Sequence, residues 1–172
     1  VGGMLGRIPD VRAAPIGGAI LIGTAAHSAA IAGLGLPLEG LGAEGYLIRS
    51  ATVDGQRVTV IAANEDLGAL YGAFHFLRLL QTRAPADQLD LRSVPRLRLR
   101  VVNHWDNLNR TIERGYAGLS IWDWWRLPDY IDRRYIDYAR ANSSIGINGT
   151  VLNNVGAQAE SLSAPYIAKA AA

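Results

Sequence analysis

The sequence of 172 residues predicts an α/β protein, in which a small α/β domain precedes two strand–helix units of a parallel sheet or barrel. Three observations support this prediction. Two apolar runs, residues 46–52 and 58–62, flank an Asp-Gly pair, which is a strong signal for a β-hairpin. Apolar residues at helical spacing follow the hairpin. After Pro95, the order strand–helix–strand–helix is typical of βα repeats.

The first domain is predicted over residues 1–94. Residues 18–23 form a strand signal, and the Ala-rich residues 25–32 suggest a short helix. A helix over about residues 65–80, with Asn64 as its N-cap, should cover one face of the sheet. Its apolar positions are Leu67, Leu70, Tyr71, Phe74 and Leu77. Residues 82–94 are predicted to be a polar connection that ends at the domain boundary.

The second domain is predicted over residues 95–172. The alternating Arg and Leu residues of 96–100 indicate a strand that continues through Val102, and a long aromatic loop follows to about residue 127. Pro128 and Asp129 are expected to open a helix over 130–141, with Asp129 as its cap. Residues 147–152 indicate a second strand, and another helix begins near Ser163. This order is typical of a parallel sheet or a barrel, but only two such units are present, whereas a (β/α)8 barrel needs eight.

Composition and charge exclude several function classes. The formal net charge of +2 argues against a nucleic-acid partner. Cys is absent, and the three His residues lack the spacing of metal ligands, so no metal is expected. No apolar run approaches the roughly 20 residues that a membrane span needs. The segment Gly40-Leu-Gly-Ala-Glu-Gly45 fits a dinucleotide fingerprint, but it precedes a strand instead of following one, so it is predicted to be a turn.

The ends of the sequence suggest a piece of a longer protein. It begins at Val1 with neither an initiator Met nor a signal peptide, and it ends within an Ala-rich helical run that lacks a cap. We therefore expect the true N-terminus to be missing. The absence of a signal peptide would indicate the cytoplasm if the source is bacterial.

The polar residues at the two strand ends indicate a ligand site. Asn103-His-Trp-Asp-Asn107 follows the first strand, and Asn153-Asn-Val155 follows the second. Parallel strands of barrel folds carry their active sites at these carboxyl ends. An indole face beside Asn, Asp and His suits a sugar ring and its hydroxyls, so Trp105 is the leading candidate. For Trp122, Trp124 and Trp125, core packing and sugar binding are left open.

The carboxylates do not form an evident catalytic pair. Glycoside hydrolysis needs two carboxyl groups that flank the scissile bond. Asp106 alone follows a strand end, whereas Glu113 and Asp129 are interpreted as loop and helix-end residues. The residues themselves therefore indicate binding without a complete catalytic set.

Several long stretches resemble the α-glucuronidases of glycoside hydrolase family 67. They are Asn103-His-Trp-Asp-Asn-Leu108, Ile112-Glu-Arg-Gly-Tyr-Ala-Gly118, Ser120-Ile-Trp122 and Ile145-Gly-Ile-Asn-Gly-Thr-Val-Leu-Asn-Asn-Val155. Upstream, Ala63-Asn-Glu-Asp66 and Tyr71-Gly-Ala-Phe-His-Phe-Leu-Arg-Leu-Leu-Gln81 are similar to the N-terminal domain of that family. The similarity runs in order through nearly the whole chain.

The resemblance implies an enzyme that removes glucuronic acid, or its 4-O-methyl ether, from xylooligosaccharides released from glucuronoxylan. The α-1,2 link is hydrolysed with inversion and without metal or cofactor. The implied fold is a small domain like the N-terminal domain of β-hexosaminidases, then a (β/α)8 barrel and a helical domain. The first strand of the small domain is expected to be missing here. The catalytic carboxylates would lie beyond Ala172, so the chain alone should be inactive. A homo-oligomer of the full-length parent is compatible with the resemblance.

The resemblance also assigns site residues. It implies that Trp105 lines the sugar pocket and that Val155 lies near the 4-O-methyl group. Four further residues occupy matching positions, where they either touch sugar or brace the site: His104, Asp106, Asn107 and Asn154. Two alternatives stay open. The chain could be a non-catalytic carbohydrate-binding or scaffolding module, or part of another barrel glycosidase such as a hexosaminidase.

Overall fold

The computed structural model describes residues 6–12, 14–153 and 157–172. The chain divides into two compact units, of which the first ends at Arg96 and the second runs from Leu97 to Ala172. Strands and helices occur in both units, so the predicted mixed α/β class is confirmed. In the described part of the chain, no helix is long and apolar enough to cross a membrane.

The first unit contains a four-stranded sheet. Its strands are β1 (Ile20–Thr24), β2 (Tyr46–Val53), β3 (Gln56–Ala63) and β4 (Asp90–Ser93), in the order β1-β3-β2-β4. β1 is parallel to β3, and the other pairs are antiparallel. The predicted hairpin is confirmed as β2 and β3. Both of its turn residues, Asp54 and Gly55, have positive φ, as a two-residue hairpin turn of this kind requires.

Strand β4 corrects the prediction of a polar connection over residues 82–94. Its four residues pair with β2 from Tyr46 to Arg49. Arg92 of β4 also donates hydrogen bonds to the carbonyl oxygens of Pro37 and Glu39. These pairing partners are distant in sequence, and a short, polar edge strand carries little apolar alternation of its own.

Helix α1 (Ala29–Ala32) is short and is capped by Ser28, and helix α2 (Asp66–Gln81) follows β3. α2 covers one face of the sheet as predicted, and together they form a core. Of the predicted apolar positions, Tyr71 is buried but Leu67 and Leu70 are exposed, and α2 buries Ala69 and Phe76 instead. The buried members of this core are Tyr46, Ile48, Ile61, Ala63, Ala69, Tyr71, Phe76 and Leu89. The opposite face of the sheet buries Val58, Val60 and Ala62 with Ile31 of α1.

Asn64 does not cap α2, contrary to the prediction. The N-cap residue is Glu65, and the Asn64 amide nitrogen instead donates to the carbonyl oxygens of Leu38 and Gly42. Asn64 therefore ties the preceding loop to the sheet. Residue type suggested a cap here, but the bond that Asn64 makes depends on a loop more than 20 residues upstream.

A Tyr–His pair joins β2 to α2 within the first core. The Tyr46 hydroxyl lies 2.9 Å from His75 Nδ1, and the two rings meet edge to face. Burial lowers the pKa of His75 below its ordinary value, and the Arg78 cation lowers it further. The neutral form of His75 is therefore favoured, and its Nδ1 can accept a hydrogen bond from the Tyr46 hydroxyl.

The second unit contains a parallel pair of short strands, β5 (Val101–Asn103) and β6 (Gly149–Val151). Helix α3 (Arg133–Ser144) lies between them in sequence. A 3₁₀ helix (Ala159–Leu162) and helix α4 (Ala164–Ala171) follow β6. The predicted strand–helix–strand–helix order is confirmed, together with the parallel pairing of its two strands.

Two boundaries in the second unit differ from the predictions. Residues 96–100, all of them described, form no strand, and the side chains of Leu97 and Leu99 are exposed. Helix α3 begins at Arg133 with Asp132 as its N-cap, so Pro128 and Asp129 do not open it. Hydrogen bonds from Arg134 lower the pKa of Asp132 to about 2, which keeps this cap ionised.

Candidate functional site

Residues 104–107, which we call the strand-end segment, leave the carboxyl end of β5. The His104 backbone N–H donates to the Val151 carbonyl oxygen at 2.9 Å. The Trp105 carbonyl oxygen accepts the Glu113 N–H at 2.7 Å. The parallel pairing of β5 and β6 is thus continued by one residue, and the segment is fixed beside the end of β6.

The side chains of the strand-end segment differ sharply in exposure. Trp105 is 50% exposed, whereas its neighbour Asp106 is 3% exposed. The His104 side chain is mostly buried as well. The segment therefore presents an indole to solvent between two side chains that are held by the protein.

Asp106 is held from several sides. The Ser120 hydroxyl donates to Asp106 Oδ2 at 2.5 Å, and His104 Nδ1 lies 3.6 Å from the same oxygen. The Ser120 oxygen also accepts the Trp122 backbone N–H at 2.9 Å. With its amide oriented to satisfy its neighbours, Asn153 donates to the Asp106 carbonyl oxygen at 3.2 Å. A buried carboxylate is tolerated only with such partners.

His104 connects this carboxylate to helix α3. Its Nε2 lies 2.5 Å from the Tyr138 hydroxyl. The imidazole also meets the Trp122 indole edge to face, with ring centroids 5.9 Å apart. Trp122 in turn packs against Tyr135 of the same helix. An aromatic cluster on α3 therefore backs the strand-end segment.

The Asn107 side chain shapes the loop that follows. Its amide nitrogen donates to the Thr111 carbonyl and hydroxyl oxygens and to the Glu113 carbonyl oxygen, at 3.1, 3.0 and 2.8 Å. Arg110 and Glu113 adopt positive φ in this loop, a conformation that non-glycine residues rarely take without support. The Asn107 amide nitrogen thus donates its hydrogen bonds to the protein's own loop.

Trp124 and Trp125 have opposite surroundings. Trp124 is 2% exposed and packs in a core with Leu108 and Leu127, so core packing applies to it. Lys169 of α4 donates to the Trp124 carbonyl oxygen at 2.6 Å. Trp125, by contrast, is 71% exposed.

Of the six sequence-predicted site residues, the structure brings three together. His104, Trp105 and Asp106 adjoin one another, and Asn107 begins the next loop. Asn154 and Val155 lie outside the described residues. Sequence reasoning missed Ser120 and Tyr138, which contact Asp106 and His104 across 14 and 34 positions of the chain.

Chemically, the described site offers a rigid aromatic surface and buried polar braces. Asp123, another carboxylate of this unit, pairs with Arg110 at 3.3 Å. In the described ranges, no three His, Asp or Glu side chains gather as a metal centre would require. An exposed indole on a braced strand end suits the apolar face of a sugar ring better than it suits an ion.

Comparisons with protein families identify the family of the chain. The description "Glycosyl hydrolase family 67 N-terminus" matches residues 1–76, and "Glycosyl hydrolase family 67 middle domain" matches residues 79–172. The two matches place the chain among glycoside hydrolases. It belongs to glycosyl hydrolase family 67, which confirms the resemblance found in the sequence.

The individual relatives that match the chain are named alpha-glucuronidases. "Probable alpha-glucuronidase A" of Aspergillus oryzae is 41% identical over 121 residues, which are 69% of this chain and 14% of the relative. The Aspergillus fumigatus (strain CBS 144.89) protein of the same name is 32% identical over 147 residues, or 83% of this chain and 16% of the relative. "Alpha-glucuronidase A" of Emericella nidulans is 39% identical over 66% of this chain and 14% of its own. The chain thus spans about one-seventh of the relatives it matches.

Proposed function

We propose that this chain is the N-terminal part of an α-glucuronidase. The full-length protein would hydrolyse, with inversion, the α-1,2 link between glucuronic acid, or its 4-O-methyl ether, and xylooligosaccharides. The observation that carries the proposal is the half-exposed Trp105 on a braced strand end, in a chain whose relatives are named alpha-glucuronidases. Aldouronic acids are the proposed ligands, and a homo-oligomer of the full-length protein is compatible with it.

The proposed domain organisation places a boundary between residues 94 and 95. Residues 1–94 would form the small α/β domain, of the type found at the N-terminus of β-hexosaminidases. Residues 95–172 would supply the first two βα units of a (β/α)8 barrel. The parallel pairing of β5 and β6, each followed in sequence by a helix, supports the second assignment.

Within this site, the proposed roles divide into contact and support. Trp105 would stack on the uronic acid ring, and Val155 would lie near its 4-O-methyl group. The described bonds of His104, Asp106 and Asn107 run to the protein itself, which supports a bracing role for those three. For Asn154, the proposed role is to touch the sugar or to brace the site.

The catalytic carboxylates are proposed to come from other strands of the full-length barrel. Inversion needs two carboxyl groups about 6.5–9.5 Å apart, one to protonate the leaving oxygen and one to activate water. Asp106 is a single carboxylate, buried and already bonded to Ser120, so it is poorly placed to take a proton from water. The isolated chain should therefore release no glucuronic acid.

The test is kinetic and uses the full-length protein. Trp105→Ala should lower kcat/KM on an aldouronic acid by about ten- to a hundredfold, because a misplaced substrate loses rate as well as affinity. Trp125→Ala is the matched control, since it removes another exposed Trp of the same unit. Equal, small effects of both substitutions on folded protein would refute the role of Trp105. Failure of the unaltered protein to release glucuronic acid would refute the function.

A further inference from the structure

We infer that Ser120 and Tyr138 are positioning residues that set the orientation of Trp105. The inference rests on the proposed function, because it concerns how the proposed sugar-stacking residue is held. It adds two residues that lie outside the strand-end segment and assigns them the support of that segment. The contacts that support it form a continuous chain of polar side chains.

The chain of contacts has four members. Ser120 bonds to the Asp106 carboxylate, the carboxylate faces His104 Nδ1 at 3.6 Å, and His104 Nε2 meets the Tyr138 hydroxyl. It therefore runs from the aromatic loop, through both neighbours of Trp105, to helix α3. Ser120 and His104 meet the same carboxylate oxygen, Asp106 Oδ2, and His104 uses its two ring nitrogens for Asp106 and Tyr138. A loss at either end should therefore loosen both residues that flank Trp105.

The exposures of three consecutive side chains explain why this matters for Trp105. Successive side chains of an extended segment point to opposite sides. His104 and Asp106 are buried on one side, and Trp105 between them is half exposed. The direction of the indole is thus set by how firmly its two neighbours are held.

The hydrogen-bonding capacities of the groups also make the chain specific. An ionised carboxylate only accepts, so the Ser120 hydroxyl must donate to Asp106, and its lone pairs remain to accept the Trp122 N–H. Ser120 therefore holds both the Asp106 side chain and the backbone at Trp122. Alanine at 120 would leave both the carboxylate and that N–H without this partner.

The first experiment follows the indole of Trp105 directly. In the 172-residue chain labelled with ¹⁵N-tryptophan, the Trp105 Nε1–H signal is identified by its loss in Trp105→Phe. We expect Tyr138→Phe and Ser120→Ala each to shift or broaden this signal. Tyr135→Phe is the matched control, since it removes a hydroxyl from the same helix that bonds to the Asp123 N–H.

A second control covers the serine substitution. Ser143→Ala removes a hydroxyl that donates to the Ala139 carbonyl oxygen within α3, and it should leave the Trp105 signal in place. If Ser120→Ala does not fold, Tyr138→Phe alone decides the question, because it deletes one oxygen from a partly buried ring. A wild-type Trp105 signal in folded Tyr138→Phe would overturn the inference. So would an equal change in Tyr135→Phe.

The second experiment separates positioning from general stability in the full-length protein. We expect Tyr138→Phe to lower kcat/KM by about tenfold in the presence of Trp105 and to have no further effect in Trp105→Ala. Effects that multiply would show that Tyr138 acts independently of Trp105, and this would overturn the inference. Absence of glucuronic acid release from the unaltered protein refutes the proposed function and leaves the Trp105 signal test standing.

Discussion

Replacing Trp124 should remove most of the stability of the second unit. A buried indole covers about 150–250 Å² of surface, which at about 25 cal/mol per Å² corresponds to roughly 4–6 kcal/mol. Core Trp→Ala substitutions typically cost about 3–5 kcal/mol. A domain of fewer than 100 residues has roughly 5–10 kcal/mol of stability in all. Because Trp124 is only 2% exposed, Trp124→Ala should cost an amount near the upper end of the range of about 3–5 kcal/mol.

Amide hydrogen exchange gives the direct measurement. A loss of about 4 kcal/mol raises the open population by roughly a thousandfold, since each 1.4 kcal/mol is a factor of ten. Peptides from helix α3 in Trp124→Ala should exchange faster by that order. Trp125→Ala is the matched control, because the neighbouring indole is 71% exposed, and its exchange should resemble that of the unaltered chain.

Trp124→Phe sharpens the test. The described residues supply no acceptor for the Trp124 indole N–H, and a buried unpaired donor costs about 1–3 kcal/mol. Phenylalanine removes that donor and keeps most of the apolar ring, so it should cost clearly less than alanine. Unchanged exchange in Trp124→Ala, or equal acceleration in Trp125→Ala, would refute the reasoning.

Two further predictions concern the first unit. Because burial lowers the folded-state pKa of His75, the unfolded chain binds the proton first, so the unfolding free energy should fall as pH drops below 6.5. The urea midpoint should fall less steeply with decreasing pH in His75→Phe than in the unaltered chain. The same dependence on pH in both proteins would contradict this prediction. Gly72→Ala should lower the urea midpoint, because a Cβ there would lie 2.6 Å from Ile61 Cγ2, and overpacking of about 1–3 kcal/mol exceeds the helix propensity gained. In a chain that already carries Ile61→Ala, Gly72→Ala should lower the urea midpoint less, because the clashing side chain is gone. A higher midpoint in Gly72→Ala alone would contradict the close packing.

Elements defined by local patterns were predicted well from the sequence. The β2–β3 hairpin follows from Asp54-Gly55 between two apolar runs, because that turn type needs positive φ at both positions. The extent of helix α2 was predicted within one residue at each end, although its spacing placed Leu67 and Leu70 in the core and both are exposed. In both cases the determining residues are neighbours in the chain.

The two strand predictions that failed, at residues 90–93 and 96–100, depend on partners far along the chain. β4 has little apolar alternation and forms because its backbone pairs with the edge of β2. Residues 96–100 have clear alternation, yet form no strand, since β5 and β6 begin to pair only at Val101 and Gly149. Alternation of apolar and polar residues predicts which side chains would share a face of a strand. It does not predict whether another strand lies beside it to form hydrogen bonds.

The candidate site shows the same division. Trp105 could be placed at a strand end because the apolar run before it and the polar residues around it are consecutive. Ser120 carries no such signal, because a single serine in a loop is ordinary until Asp106 is brought to within 2.5 Å of it. The braces of the site are thus long-range contacts that only the folded chain reveals.

The strand order β1-β3-β2-β4 has a consequence for how the first sheet assembles. The two central strands are joined by a two-residue turn, so their pairing closes almost no loop and costs little chain entropy. The outer strands must each return from far along the chain, β1 to bring Ile20 beside Thr59 and β4 to bring Leu91 beside Ile48. Contacts of large sequence separation form slowly, so the sheet should grow outward from its middle hairpin.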